Sequence, residues 1–366
     1  MSLSGAATAE GTLRFSERYP EAASGHFRHG CGWTVSSIGV GTYLGEPDEA
    51  VDAGYAAAIE TAVDMGCNVI DTAIVYRNQR SERVVGRTLD NLAADGKCAR
   101  DEIVISTKGG FLAYDSEYPR GPRAYIEETL LRPGIISVDD VVGGAHCMTP
   151  RYLRSQLDLS RGNLGCEAVD IYFLHNPESQ LAEVDRAEFL RRIRDAFAFL
   201  EEAVSAGEIS VYGTATWSGY RTSSRSPDFL ALEDLLQAAR DAGGDSHHFR
   251  ALQLPVNLAM PEGITVANQP WRGTSSSLLA AAADSDLVVF ASASLMQARL
   301  TRDLPLQLRT ALGASSDAQA ALQFVRSAPG VTTALVGMSN PAHVVENCAL
   351  VSTPPLDRTR FGEMLG

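Results

Sequence analysis

Short apolar runs and longer amphipathic stretches alternate along this chain with a regularity that sets its architecture. Strand-length apolar runs fall at 35–41, 67–73, 103–108, 170–175, 209–216, 251–257, 287–294 and 333–337. Most are continuously apolar rather than alternating, as parallel strands covered by helices must be. Between them, apolar residues recur at helical spacing over 50–65, 81–92, 150–164, 187–206, 231–242, 275–283, 317–327 and 341–348. Several of these stretches carry end signals. Ser81 opens the second as a cap, Thr149 precedes Pro150 at the start of the third, and Gly207 follows the fourth. Eight strand–helix units in succession predict an α/β fold, a single (β/α)8 barrel of the TIM type.

Two connections are longer than a minimal barrel needs. A long insertion after strand 3, residues 109–148, is rich in Gly, Pro and aromatics (FLAYDSEYPRGPRAY), and 257–274 follow the sixth strand. Both leave the C-terminal end of a strand, the face where barrels carry their sites, and loops of that length are more often functional than idle. Residues 1–12 are small and polar and read as a flexible tail. No linker or charge run divides 13–366, which read as one domain.

Composition narrows the function classes. Hydrophobic residues make up 45% of 366 positions, enough for a large core with no disulfide framework or metal. The net charge of -14 argues against binding nucleic acid or an anionic membrane, so an anionic ligand must be held by local groups. No apolar run reaches the ~18 residues of a membrane span, and the N-terminus lacks the basic start of a secretory signal. The cysteines (Cys31, Cys67, Cys98, Cys147, Cys166 and Cys348) form no C-x-x-C pair, which points to free thiols in a reducing compartment, the cytoplasm. Oligomeric state is not readable at this level.

Four polar residues sit at or just beyond the C-terminal ends of successive strands: Asp71 and the following Tyr76, then Lys108, then His175. In a closed barrel these ends share one mouth, and the set suits carbonyl reduction. A phenol is a weak acid, and a nearby ammonium is expected to lower its pKa. A carboxylate keeps that ammonium charged, and an imidazole N–H stabilises negative charge on the carbonyl oxygen. Tyr76 then serves as general acid. Each residue alone has an ordinary structural explanation; the constellation is what carries weight.

The segments G-T-Y-L-G, D-T-A-I-V-Y, S-T-K-G-G and D-I-Y-F-L-H resemble the aldo-keto reductase family over about residues 35–350. The resemblance implies NAD(P)H-dependent reduction of an aldehyde or ketone, a small-molecule substrate, and Asp71, Tyr76, Lys108 and His175 as the catalytic set. It implies NADPH as cofactor, with NADH as rival. Gly41, Thr42 and Tyr43 match the family's approach to the cofactor, and Gln253 its contact to the nicotinamide amide. V-G-M-S-N-P-A-H-V-V-E-N resembles the dinucleotide clamp and assigns Gly337, Ser339, His343, Glu346 and Asn347 to cofactor binding. The chain also departs from the pattern. His343 stands where an arginine usually grips the 2′-phosphate, Thr216 stands for an asparagine at the carboxamide, and Ser292 stands for a stacking tyrosine. Phe111, Tyr114, His146 and Trp217 are candidate pocket walls. Two alternatives remain: a dinucleotide-binding regulatory protein with little turnover, and a Schiff-base enzyme acting through Lys108.

Overall fold

The computed structural model describes residues 3–115 and 121–365. Eight parallel strands close into a barrel: β1 (Ile38–Gly41), β2 (Val69–Asp71), β3 (Val104–Gly109), β4 (Val169–His175), β5 (Ile209–Ala215), β6 (Phe249–Pro255), β7 (Val288–Ser292) and β8 (Thr333–Gly337), with β8 pairing β1. The principal helices are α1 (Ala9–Glu17), α2 (Glu49–Asp64), α3 (Arg80–Ala94), α4 (Pro150–Leu164), α5 (Arg186–Ser205), α6 (Leu232–Gly243), α7 (Leu278–Asp284), α8 (Asp317–Ser327) and α9 (Pro341–Cys348). Strand side chains alternate between two cores. Val69, Val104, Ile171, Phe173, Phe290 and Leu335 fill the barrel, while Ile70, Ile105, Tyr172, Leu252 and Val289 pack beneath the helices.

The first predicted strand, 35–41, is split. Trp33–Ser36 pairs antiparallel with Phe27–Gly30 in a hairpin, and the barrel strand begins only at Ile38. The Ser37 N–H is taken by the His26 carbonyl (2.7 Å), which turns the chain between the two elements. Trp33 and Val35 join the interior cluster and stopper the N-terminal end of the barrel.

Residues 3–12, predicted to be a loose tail, are pinned. The Leu3 N–H donates to the Gly165 carbonyl (2.7 Å), the buried Asp170 accepts from the Ala7 N–H (2.7 Å), and Trp33 Nε1 donates to the Ala7 carbonyl (3.0 Å). Thr8 caps α1, whose Phe15 is fully buried. These anchors are backbone groups, so polar composition gave no sign of them.

Most helix ends fall as predicted. Thr149 accepts from Tyr152 N at the start of α4, and Gly207 takes a left-handed φ of 72° after α5. Ser81 does not cap α3. It lies inside the helix and its Oγ donates to the Thr42 carbonyl (2.7 Å), while left-handed Gln79 occupies the cap position. The stretch 275–283 becomes helical only from Leu278, capped by Ser277, because 274–276 pair with Gln269–Trp271. Between β3 and α4 lie the short helix Pro122–Ile126 and further turns, which bury Leu130, Ile136 and Cys147 against Tyr152. Residues 116–120 of this connection lie outside the described residues.

Candidate active site

The strand ends converge as the barrel closure requires. Lys108, fully buried, donates from Nζ to both Asp71 carboxylate oxygens (2.8 and 2.7 Å) and to the Thr72 carbonyl (2.8 Å), so all three of its protons are committed. Asp71 Oδ1 also accepts from Ser106 Oγ (2.7 Å) and from Gln253 Nε2 (2.8 Å). Burial lowers the Lys108 pKa, opposed by Asp71. A Schiff base at this lysine lacks access, since the nitrogen is sealed behind Asp71, which itself lines the cavity.

The Lys108 ammonium faces the Tyr76 ring, 4.8 Å from its centroid. The expected lowering of the tyrosine pKa does not occur. Burial raises it well above the usual phenol value, and Asp71, Tyr43 and Tyr55 push the same way. With Asp71 neutralising the ammonium, desolvation dominates and the phenol keeps its proton. The His175 ring stands edge-on to Tyr76, with centroids 5.8 Å apart. Burial, then Lys108 and His146, drives its pKa well below the ordinary histidine value, so the imidazole is neutral.

One cavity of about 730 Å³ opens from these residues across the mouth. On the tetrad side it is walled by Tyr43, Leu44, Val75, Phe111, Asn176 and Trp217; along the strand ends by Gly41, Thr42, Thr216, Gln253 and Ser292; and toward α9 by Gly337, His343, Glu346 and Asn347. No lysine or arginine is among its described lining residues. Two of its polar atoms, Thr216 Oγ1 and Asn347 Oδ1, are buried without a hydrogen-bond partner among the described residues. Such atoms are costly unless something occupies the space beside them.

A sequence profile of the aldo/keto reductase family matches residues 37–224. The chain belongs to that family. It is 26% identical over 344 residues to a putative voltage-gated potassium channel subunit beta of Schizosaccharomyces pombe, covering 87% of this chain and 86% of that one. It is 27% identical over 190 residues to the NADH-specific methylglyoxal reductase of Escherichia coli, covering 50% and 48% of the two chains. An aldo/keto reductase from Klebsiella pneumoniae, solved with NADP and acetate, shares the barrel with a TM-score of 0.61 at 22% identity over 93% of this chain and 94% of that one. The glycerol dehydrogenase of Gluconobacter oxydans does so with a TM-score of 0.62 at 18% identity over 94% and 96%. Among the described residues no helix is long and apolar enough to cross a membrane.

Three residues assigned from the sequence lie elsewhere than expected. Ser339 is exposed outside the cavity lining, its carbonyl packed against Gly54 of α2. Tyr114 packs edge-on against Tyr125 (5.5 Å) and does not line the cavity. His146 is buried beneath His175 rather than beside the substrate space. The sequence also gave no notice of the segment after β7, where Ser294, Leu295, Gln297, Ala298 and Thr301 form a cavity wall. Met296, Gln297 and Ala298 there adopt left-handed φ values of 47°, 52° and 65°, a conformation that no glycine announces.

Proposed function

We propose that this protein reduces an aldehyde or ketone to an alcohol with a nicotinamide dinucleotide, NADPH or NADH, and that Tyr76 delivers the proton. The observation that carries this is the Tyr76 ring and the His175 imidazole standing edge-on to each other beside a buried Lys108–Asp71 pair, on one wall of a cavity of ligand size. The bound dinucleotide supplies a hydride to the carbonyl carbon. Tyr76, whose ring centre lies 4.8 Å from the Lys108 ammonium, gives its proton to the carbonyl oxygen. His175, neutral, donates an N–H that orients that oxygen. Asp71 holds Lys108 charged and in place.

The chain's own groups fit the dinucleotide. Gln253 binds Asp71 through its Nε2, which leaves its Oε1 for the carboxamide amine. Thr216 Oγ1 and Asn347 Oδ1 are the unpartnered atoms that the carboxamide and the adenine would satisfy. Gly41 and Gly337, paired in register, allow close approach of the backbone. The complex named for the Klebsiella relative and the NADH-specific activity named for the Escherichia relative support either dinucleotide. The channel-subunit name of the Schizosaccharomyces relative favours a second reading, a dinucleotide-binding regulatory protein with little turnover; the complete tetrad weighs against it.

The test is fluorescence titration with NADPH and NADH, with cofactor oxidation over a panel of neutral aldehydes and ketones, for the wild type and Tyr76→Phe. Both proteins are expected to bind, and the variant to turn over about 100-fold or more slowly. Binding with no turnover by the wild type would support the regulatory reading. No binding of either nucleotide would sink both.

A further inference from the structure

His146 lies under the mouth, wedged against Phe111 and the end of β4. One ring nitrogen, Nε2, is 2.8 Å from the backbone carbonyl of His175; the other, Nδ1, is 2.8 Å from Gln180 Nε2. Which nitrogen carries the proton is decided one residue further out. Arg192 Nη1 lies 2.6 Å from Gln180 Oε1, and a guanidinium only donates, so that atom must be the amide oxygen. The Gln180 NH2 therefore faces His146. The His146 carbonyl, 3.3 Å from the same Nε2, requires the same orientation independently. Nδ1 is then the acceptor, the ring proton sits on Nε2, and it is donated to the His175 carbonyl. Glu188 holds Arg192 in turn (2.8 Å). The Phe111 ring stands edge-on to both imidazoles, 5.1 Å from each. Gly110, at φ 143°, leaves room for the contact: a Cβ there would sit 2.9 Å from His146 Nε2 and 3.0 Å from the His175 carbonyl oxygen.

We infer that His146 is a positioning residue, locked as the Nε2–H tautomer by the series Arg192–Gln180–His146, and that its N–H anchors the backbone from which the His175 side chain enters the cavity. The catalytic meaning of this anchor rests on the reductase reading. Burial holds the His146 pKa down at about 4, so the proton arrangement persists through neutral pH. Neither an imidazolium nor the other tautomer would serve. The other tautomer sets a nitrogen lone pair against the carbonyl oxygen, and an imidazolium sets its Nδ1–H against the Gln180 amine.

Two measurements test this. Two-bond ¹H–¹⁵N spectra of the ¹⁵N-labelled protein without cofactor, with His146 assigned by the loss of its signals in His146→Phe, should give a neutral Nε2–H ring at pH 7. A neutral Nδ1–H ring or an imidazolium would overturn the inference. Kinetics of His146→Ala and His146→Gln form the second. The alanine variant should lose roughly 10- to 100-fold in kcat while its dinucleotide Kd stays within about twofold, because a displaced orienting group harms the reaction more than cofactor binding. The glutamine variant, with an amide nitrogen where Nε2 stood, should recover most of that loss. An alanine variant with unchanged kcat, or a glutamine variant no better than alanine, would overturn the positioning role and leave the reductase reading intact. A wild type that binds no dinucleotide would overturn that reading instead, and the tautomer would still decide the relay.

Discussion

Gln253 and Asp71 meet across the barrel mouth, where Gln253 donates its Nε2–H to Asp71 Oδ1 at 2.8 Å. Its strand, β6, stands opposite β2 in the closed ring. The bond ties a proposed cofactor contact to the carboxylate that neutralises Lys108, so the two halves of the site are braced before any ligand arrives. Preorganisation of this kind lowers the reorganisation needed during reaction.

The Lys108–Asp71 pair should act as one unit in stability as well as in chemistry. Lys108→Met strands a buried carboxylate, and Asp71→Asn strands a buried ammonium. Each is expected to lower the unfolding free energy by about 3–5 kcal/mol. The double variant should lose clearly less than the sum of the two. Urea unfolding of the four proteins checks this, and strict additivity would mean that the pair is not coupled.

Thr216 separates folding from binding. Its hydroxyl is buried with no hydrogen-bond partner among the described residues, so Thr216→Val should leave the unfolding free energy unchanged or raise it by about 1 kcal/mol. The same change should weaken dinucleotide binding about fivefold, the equivalent of one lost hydrogen bond. A variant that binds as tightly as the wild type would remove Thr216 from the carboxamide contact.

His343 should govern the choice between the two dinucleotides. It lines the α9 side of a cavity without lysine or arginine among its described walls. His343→Arg supplies a fixed charge and a bidentate fork. NADPH should bind about tenfold more tightly to the variant, with NADH affinity nearly unchanged. An equal change for both nucleotides would show that residue 343 does not meet the 2′-phosphate.

His26 offers a pH-dependent test. It is buried between the Ser37 hydroxyl (3.1 Å) and the Gly66 carbonyl (3.0 Å), and burial, with Arg326 and Arg28, lowers its pKa to about 4. The unfolded chain takes up this proton near pH 6.5, before the folded state does. The contribution is therefore full above pH 6.5 and is lost as pH falls toward 4. The loss amounts to about 3 kcal/mol. His146 and His175 carry shifts of the same sign, whereas buried Glu82, Asp170 and Glu178, with raised pKa values, act in the opposite direction. All five are shared by wild type and His26→Gln, so the difference between their urea stabilities at pH 7.5 and pH 4 isolates His26. A difference that does not change with pH would refute the assignment.

Asp71, Lys108 and His175 were legible because strand ends are legible: continuous apolar runs stop at a polar residue, and closure of the barrel brings those stops together. Tyr76 followed from its place in the next loop. The role of Ser81 was hidden because a serine near a helix start is normally a cap, and only the neighbouring Thr42 carbonyl diverts it. His146 was visible as a residue but not as a function. Its role depends on Gln180 and Arg192, which lie on another connection and another helix and meet it only in the folded chain. The segment that carries the wall after β7 turns through left-handed Met296, Gln297 and Ala298, residue types that carry no turn signal.

Trp33 and Val35 stopper one end of the barrel, and the reacting groups occupy the other. An engineer altering substrate preference would work on Leu44 and Trp217, which stand exposed at the rim of the cavity. The hairpin would be left alone, since Trp33 and Val35 pack in one buried cluster with Val69, Val104 and Phe290. The molecule thus keeps its foundation and its workshop on separate floors, and the upper one can be refitted without disturbing the lower.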